Sequence, residues 1–256
     1  MYKFFSIIFL LLMVGLESNA TNCYFKEVRF KEQMFATDGV QTQPQVPLKS
    51  NLVLTILPSE TDNTLPMVFL ISGDGGWASF VQGVSEILSK KGMPVIGLNS
   101  RKYFWNEKQP KEVADEISEA VKYYMKQWNR NSFILIGYSF GACVTPFIVP
   151  ELNSSLKGLL KGIYCFSPDE TGDFKIHITD LLNFNTTQKY DVLNQMKIIK
   201  AWNPICIFGG GETLEKQDRF SKEGIHVEII PGAHHYDNDY KAVTDIIFKD
   251  FIKQNP

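Results

Sequence analysis

Short apolar segments that alternate with amphipathic helical patterns place the strongest constraint on how this chain can fold. The run from Met67 to Ile71 has no polar residue, which is typical of a strand that is buried on both faces. Strands are predicted at residues 52–57, 67–71, 95–98, 132–136, 159–166, 205–208 and 225–230.

Helical patterns fill the intervals between the predicted strands. One begins at Pro110, because proline is common at the first helical position. Its apolar residues recur at spacings of three and four, which gives the helix one face toward a core: Val113, Ile117, Val121, Tyr124 and Trp128. Alternating strands and helices predict an α/β fold with a mostly parallel central sheet and helices on both faces. Ligands then bind at the carboxyl ends of the strands.

The N-terminus has the pattern of a secretory signal peptide. Lys3 supplies a positive charge, an almost entirely apolar stretch follows over 4–14, and small residues precede position 21. The apolar stretch is shorter than the ~20 residues that a membrane-spanning helix needs, although an uncleaved anchor is the alternative. We therefore predict a signal peptide over residues 1–20 and one domain over residues 21–256.

Composition excludes some classes of function. The formal net charge is −2 and no long basic run occurs, so nucleic acid is not expected as a partner. The four cysteines do not have the spacing of a metal site, and we expect neither a metal nor an organic cofactor.

The segment from Gly137 to Gly141 matches the pattern G-x-S-x-G and indicates a nucleophilic serine. It follows a predicted strand and precedes a predicted helix, which is the context of a nucleophile elbow. The serine is Ser139, and the N-terminus of the helix would favour negative charge that develops beside it.

A serine nucleophile needs a base and an acid that orients it. The loop after the last strand carries His234 and His235; we favour His235 as the base, with His234 as the alternative. The preceding strand is followed by Glu212, the favoured acid, with Asp218 as the alternative. The order serine, acid, histidine along the chain is that of the α/β-hydrolase fold.

Two backbone N–H groups must also stabilise the oxyanion of the reaction. The residue after the serine, Phe140, would supply one of them. The glycine-rich loop after the strand 67–71 would supply the other, from Asp74 or alternatively from Gly75.

Four segments resemble the bacterial virulence family typified by VirJ and AcvB. They are residues 72–77 (SGDGGW), 103–105 (YFW), 137–142 (GYSFGA) and 231–235 (PGAHH), and the resemblance extends from about residue 65 to the C-terminus. The resemblance implies a periplasmic α/β-hydrolase domain. It also implies that this domain is a serine esterase that acts on aminoacylated phosphatidylglycerol, such as lysyl-phosphatidylglycerol. Some members are associated with type IV secretion.

Several aromatic residues are candidates to contact such a substrate or a membrane surface. They are Trp77, Tyr103, Phe104, Trp105 and Tyr138, although core packing is an equally good interpretation of residues 103–105. The Asp74 side chain would attract a substrate ammonium group or cap the next helix. The long irregular stretch over residues 168–200 would form a lid.

The chain departs from the family pattern at two places. Tyr236 stands where phenylalanine is usual, and Thr213 and Leu214 follow Glu212 where further acidic residues are usual. Two other interpretations stay open, because a fold does not fix a substrate. One is a serine esterase or lipase that acts on another ester or a thioester. The other is a non-catalytic module that binds a secretion-system protein.

Overall fold

The computed structural model of the chain describes residues 51–59, 61, 64–176 and 188–254. The predicted signal peptide over residues 1–20 lies outside these residues. The strands are β1 Leu54–Leu57, β2 Met67–Ile71, β3 Val95–Leu98, β4 Phe133–Tyr138, β5 Leu160–Phe166, β6 Thr171–Gly172, β7 Tyr190–Asp191, β8 Ile205–Gly209 and β9 His226–Ile230. The helices are α1 Ser79–Lys90, α2 Ser100–Tyr103, α3 Pro110–Gln127, α4 Phe140–Glu151, α5 Ser154–Lys157, α6 Val192–Ile198, α7 Leu214–Lys222 and α8 Tyr240–Gln254.

Seven of these strands form one sheet in the order β1-β3-β2-β4-β5-β8-β9. Every neighbouring pair is parallel except β1 and β3, which are antiparallel. The predicted mostly parallel sheet is therefore confirmed. Because β2, β4, β5, β8 and β9 run in one direction, the loops that follow them meet at the same edge of the sheet.

The two faces of the sheet bury separate cores, because successive side chains of a strand point to opposite faces. Phe69 and Leu135 point to the face that α3, α4, α6 and α7 cover. Leu70 and Ile136 point to the other face, which α1 and α8 cover. Helices thus lie on both faces, as the sequence predicts. Among the described helices, none is long and apolar enough to cross a membrane.

The stretch over residues 168–200 includes regular structure that the sequence did not predict. Strands β6 and β7 form an antiparallel pair, and helix α6 buries Met196 in the core. Residues 177–187, including His177, lie outside the described residues. A lid over residues 168–200 therefore remains a prediction.

Two glycines allow β4 and α4 to pack closely against their neighbours. A Cβ atom on Gly141 would lie 2.1 Å from the carbonyl oxygen of Ile71, and one on Gly137 would lie 2.3 Å from the carbonyl oxygen of Gly141. Neither backbone oxygen can move away cheaply, because each belongs to a buried strand or helix. Glycine is therefore required at both positions.

We expect Gly141→Ala to lower the free energy of unfolding by about 1–3 kcal/mol, the usual cost of overpacking a core. The matched control is Gly158→Ala, because Gly158 has a φ of −73° and an added Cβ would meet no atom within 4 Å. Denaturant unfolding of both variants measures the difference. Equal stability of the two variants would contradict the proposed role of the close packing.

Candidate active site

Ser139 lies in the sharp turn between β4 and α4, at the carboxyl edge of the sheet. Its φ is +53°, a left-handed conformation that residues other than glycine rarely adopt. Its N–H group donates to the carbonyl oxygen of Phe166 (2.8 Å), and its own carbonyl oxygen accepts from Ala142 (2.9 Å) and Cys143 (3.1 Å). Backbone hydrogen bonds thus hold the turn in a conformation that isolated serine disfavours, as in a nucleophile elbow.

The histidine next to Ser139 is His234, so the preference for His235 at this position is corrected. The distance from His234 Nε2 to Ser139 Oγ is 3.0 Å. The His235 side chain is exposed, and its Nδ1 atom lies 2.5 Å from the hydroxyl of Tyr138. The reason is the tight turn in this loop, where Tyr236 N–H donates to the carbonyl oxygen of Ala233 (2.8 Å). This turn directs the two histidine side chains to different partners.

Glu212 lies on the other side of His234. Its Oε2 atom is 3.3 Å from His234 Nδ1. Its Oε1 atom accepts hydrogen bonds from Ser167 Oγ (2.6 Å) and from the N–H of Gly209 (2.9 Å). Burial alone would raise the pKa of Glu212, but the hydrogen bonds from His234, Ser167 and Gly209 outweigh burial and lower that pKa. The carboxylate is therefore stable as an anion although its side chain is only 7% exposed.

The alternative acid, Asp218, is remote from this arrangement. It lies on α7 with a side chain that is 67% exposed, and it pairs with Lys222 at 3.7 Å. The structure therefore brings Glu212, and not Asp218, to the histidine.

The loop after β2 lies against the Ser139 turn. A Cβ atom on Gly73 would be 3.4 Å from the Cβ of Ser139, so this loop passes close to the serine. The Gly75 N–H donates to Asp74 Oδ1 (2.8 Å) and is therefore already engaged. Phe140 is the first residue of α4, where an N–H group has no acceptor within the helix. The N–H groups of Asp74 and Phe140 therefore stay the candidates for binding an oxyanion, whereas that of Gly75 is engaged.

A pocket of about 170 Å³ opens beside Ser139. Its lining is mostly polar and comprises Asp74, Ser139, Phe140, Cys143, Asp169, Thr171, Lys175, Ile176 and Gln188. The sequence motifs identify the first three of these as site residues. The stretch over residues 168–200, for which the sequence predicts a lid but no individual site residue, supplies five more: Asp169, Thr171, Lys175, Ile176 and Gln188. Cys143, on α4, was not expected at the site.

The aromatic residues that were expected to contact substrate do not line this pocket. Tyr103 and Phe104 are buried, and the Phe104 ring packs 5.0 Å from that of Phe140, so the core-packing interpretation is correct for these two. Trp105 is 49% exposed. Trp77 packs against Gly97, where a Cβ atom would lie 1.9 Å from the indole ring.

Tyr138 is also buried, between the loop after β2 and the histidine loop. A Cβ on Gly73 would lie 3.3 Å from its ring, and its ring centroid is 4.6 Å from that of Phe80. The structure therefore assigns Tyr138 to packing and to the hydrogen bond with His235. In the described part of the chain, no group of three or more histidine, cysteine or acidic side chains could hold a metal ion.

Comparison with known proteins identifies the family. The family model described as bacterial virulence protein (VirJ) matches residues 66–255. The chain belongs to the VirJ family. Among curated proteins, none is significantly similar in sequence to this VirJ-family chain.

Solved structures similar to this VirJ-family chain establish its fold. Est1E from Butyrivibrio proteoclasticus superposes with a TM-score of 0.53 and 15% identity, over 78% of this chain and 92% of that one. The Pyrococcus furiosus esterase Pf2001 superposes with a TM-score of 0.55 and 16% identity, over 81% of this chain and 91% of the esterase. A lipase-esterase related protein from Clostridium acetobutylicum superposes with a TM-score of 0.54 and 14% identity, over 78% of this chain and 99% of that protein. The VirJ-family chain has the α/β-hydrolase fold.

The geometry predicts different effects for the two neighbouring histidines. We expect His234→Asn to slow labelling of Ser139 by a fluorophosphonate by about a hundredfold or more, because it removes the one imidazole that lies within hydrogen-bond distance of the serine in the described part of the chain. His235→Asn is the matched control and should label at a rate close to that of the unaltered chain. Mass spectrometry of labelled protein against time measures both rates. The reverse order would restore His235 as the base.

Proposed function

We propose that this VirJ-family chain is a serine ester hydrolase in which Ser139 is the nucleophile, His234 the base and Glu212 the acid. The observation that carries the proposal is the continuous path from Ser139 Oγ through both ring nitrogens of His234 to Glu212, with distances of 3.0 and 3.3 Å. The fold, which recurs in esterases, supports the same reaction class.

The two ring nitrogens of His234 have distinct tasks in this mechanism. Nδ1 donates its hydrogen to Glu212, which leaves Nε2 as an acceptor for the Ser139 hydroxyl. As Ser139 Oγ attacks the ester carbonyl carbon, its proton passes to His234 Nε2 and the imidazolium pairs with the Glu212 carboxylate. The proton then passes to the leaving alcohol when the ester C–O bond breaks. In the second half of the reaction, water takes the place of the alcohol: His234 Nε2 accepts its proton as it attacks the acyl carbon. That proton then returns to Ser139 Oγ as the acyl–serine bond breaks and the acid is released.

The oxyanion that forms on the carbonyl oxygen needs donors that are already in place. In the proposed mechanism, the N–H groups of Phe140 and Asp74 supply them. The first turn of α4 adds the favourable end of the helix dipole. The reaction requires neither a metal nor an organic cofactor.

The chemistry of the pocket favours a small polar acyl group over a fatty acyl chain. Among the described residues, only the Gly75 N–H donates to the Asp74 carboxylate, so this carboxylate can also accept from a substrate ammonium group. The neighbouring Asp169 already pairs with Lys216. Lys175, at the same pocket, suits a phosphodiester. These groups match an aminoacyl ester of phosphatidylglycerol, the substrate class that the family resemblance implies.

Such a lipid places the reaction at a membrane surface. We propose that the chain acts in the periplasm, in keeping with the signal-peptide pattern of residues 1–20. The substrate would then be presented by the outer leaflet of the inner membrane or by the outer membrane.

The first experiment is hydrolysis of lysyl-phosphatidylglycerol in vesicles, followed as lysine release. We expect release by the mature protein and at least a thousandfold slower release by Ser139→Ala, because no other described hydroxyl lies within hydrogen-bond distance of the His234 ring nitrogens.

The outcomes separate the open interpretations. Labelling of Ser139 by a fluorophosphonate without lysine release would retain the serine hydrolase and exclude this lipid. The absence of both lysine release and labelling would exclude the hydrolase and favour the module that binds a secretion-system protein.

Asp74 should select for a charged acyl group. We expect Asp74→Asn to lower kcat/KM for a lysine ester by about tenfold relative to the hexanoate ester of the same alcohol, because only the lysine ester carries ammonium groups. Asparagine retains the shape of the side chain and an acceptor oxygen, so the hexanoate ester serves as the internal control. An equal loss for both esters would mean that the substitution acts through the conformation of the loop, which the Gly75 N–H bond to Asp74 holds, and not through charge.

A further inference from the structure

Ser167 contacts the candidate acid but belongs to none of the motifs of the sequence. It directly follows β5, is completely buried and has a φ of +50°. Its N–H group donates to the carbonyl oxygen of Ile207 (2.8 Å), so the neighbouring strand holds its backbone in this unfavourable conformation. Its hydroxyl then lies 2.6 Å from Glu212 Oε1.

Tyr236 approaches the same hydroxyl from the histidine loop. Its side chain is completely buried, and its hydroxyl lies 2.6 Å from Ser167 Oγ and 2.8 Å from the carbonyl oxygen of Ile207. Tyr236 also has a positive φ (52°), as do the next two residues, Asp237 and Asn238. This local conformation turns the tyrosine inward directly after the two histidines.

The number of hydrogens decides the direction of these bonds. Ser167 has one hydroxyl hydrogen, and the anionic Glu212 is its strongest acceptor. The Tyr236 hydroxyl has two acceptors within reach, Ile207 O and Ser167 Oγ. Whichever of them accepts, the tyrosine does not need the serine hydrogen, which is left for Glu212.

We propose that Ser167 and Tyr236 are positioning residues that hold Glu212 ionised and oriented toward His234. The inference rests on the proposed function, because it assigns their effect to the acid of the triad. It also explains why a buried serine has a strained backbone: the left-handed conformation directs its hydroxyl to the carboxylate.

Other charged or titratable groups also face Glu212 and must be separated from Ser167. They are His234, Lys216, Tyr138 and Tyr236. The Ser167→Ala substitution removes the hydrogen bond to Glu212 together with the contact to the Tyr236 hydroxyl, and it leaves all four groups in place. It should therefore raise the pKa of Glu212, so that the carboxylate is lost at a higher pH during acidification.

The test measures this titration directly, by NMR of the Glu212 side-chain carboxyl carbon, with Glu212→Gln to assign the resonance. We expect the midpoint to move to higher pH in Ser167→Ala, and to move less in Tyr236→Phe, which retains the ring and loses only the hydroxyl. An unchanged midpoint in both variants would overturn the inference and leave the proposed function intact.

A double-mutant cycle on kcat/KM provides the second readout. We expect Ser167→Ala to lower the rate at neutral pH by about tenfold, and Tyr236→Phe by a smaller factor. In a Glu212→Ala background, Ser167→Ala should have no further effect, because its partner is absent. An equal loss in both backgrounds would mean that Ser167 acts elsewhere. Full activity of Glu212→Ala would instead contradict the proposed function.

Discussion

The structure depends on one close backbone contact, between Gly141 at the start of α4 and the carbonyl oxygen of Ile71 at the end of β2. This contact leaves no space for a side chain. It brings the turn that carries Ser139 against the loop that carries Asp74. The serine and the two candidate oxyanion donors are therefore neighbours because two glycines let β4, α4 and β2 approach each other.

The parallel sheet then adds the remaining groups of the site. Strands β5, β8 and β9 end at the same edge as β4, so the loops that carry Ser167, Glu212 and His234 meet beside Ser139. Hydrogen bonds link these three loops to one another. The carboxylate of Glu212 is the central member, because it accepts from its own strand, from the serine after β5 and from the histidine loop. A buried anion is stable only where several donors converge on it.

This arrangement also explains why most of the aromatic residues that were expected to contact substrate are packed in the core. Helix α2 turns Tyr103 and Phe104 into the core, where Phe104 supports the ring of Phe140. Tyr138 fills the space between the loop after β2 and the histidine loop. These rings therefore pack beneath the residues of the site and do not line the pocket, whose lining is mostly polar. A polar pocket next to Ser139 is in keeping with the small charged acyl group of the proposed substrate.

The sequence by itself determined the order of the seven strands of the main sheet, the turn at Ser139 and a preference for Glu212 over Asp218, because apolar periodicity and glycine spacing are local properties of the chain. Only the structure separated the two acids, since Glu212 contacts His234 and Asp218 does not. The preference of the sequence analysis for His235 over His234 was wrong, since the two are adjacent and the turn at Ala233 and Tyr236 sets which side chain faces the serine. The sequence gave no sign of Ser167, because an isolated serine after a strand has no distinctive pattern. Within the stretch over residues 168–200, for which it predicted a lid, it did not single out Asp169 and Lys175 as residues that line the pocket. These assignments belong to the tertiary structure, because they depend on hydrogen bonds and packing between loops that are far apart in the chain.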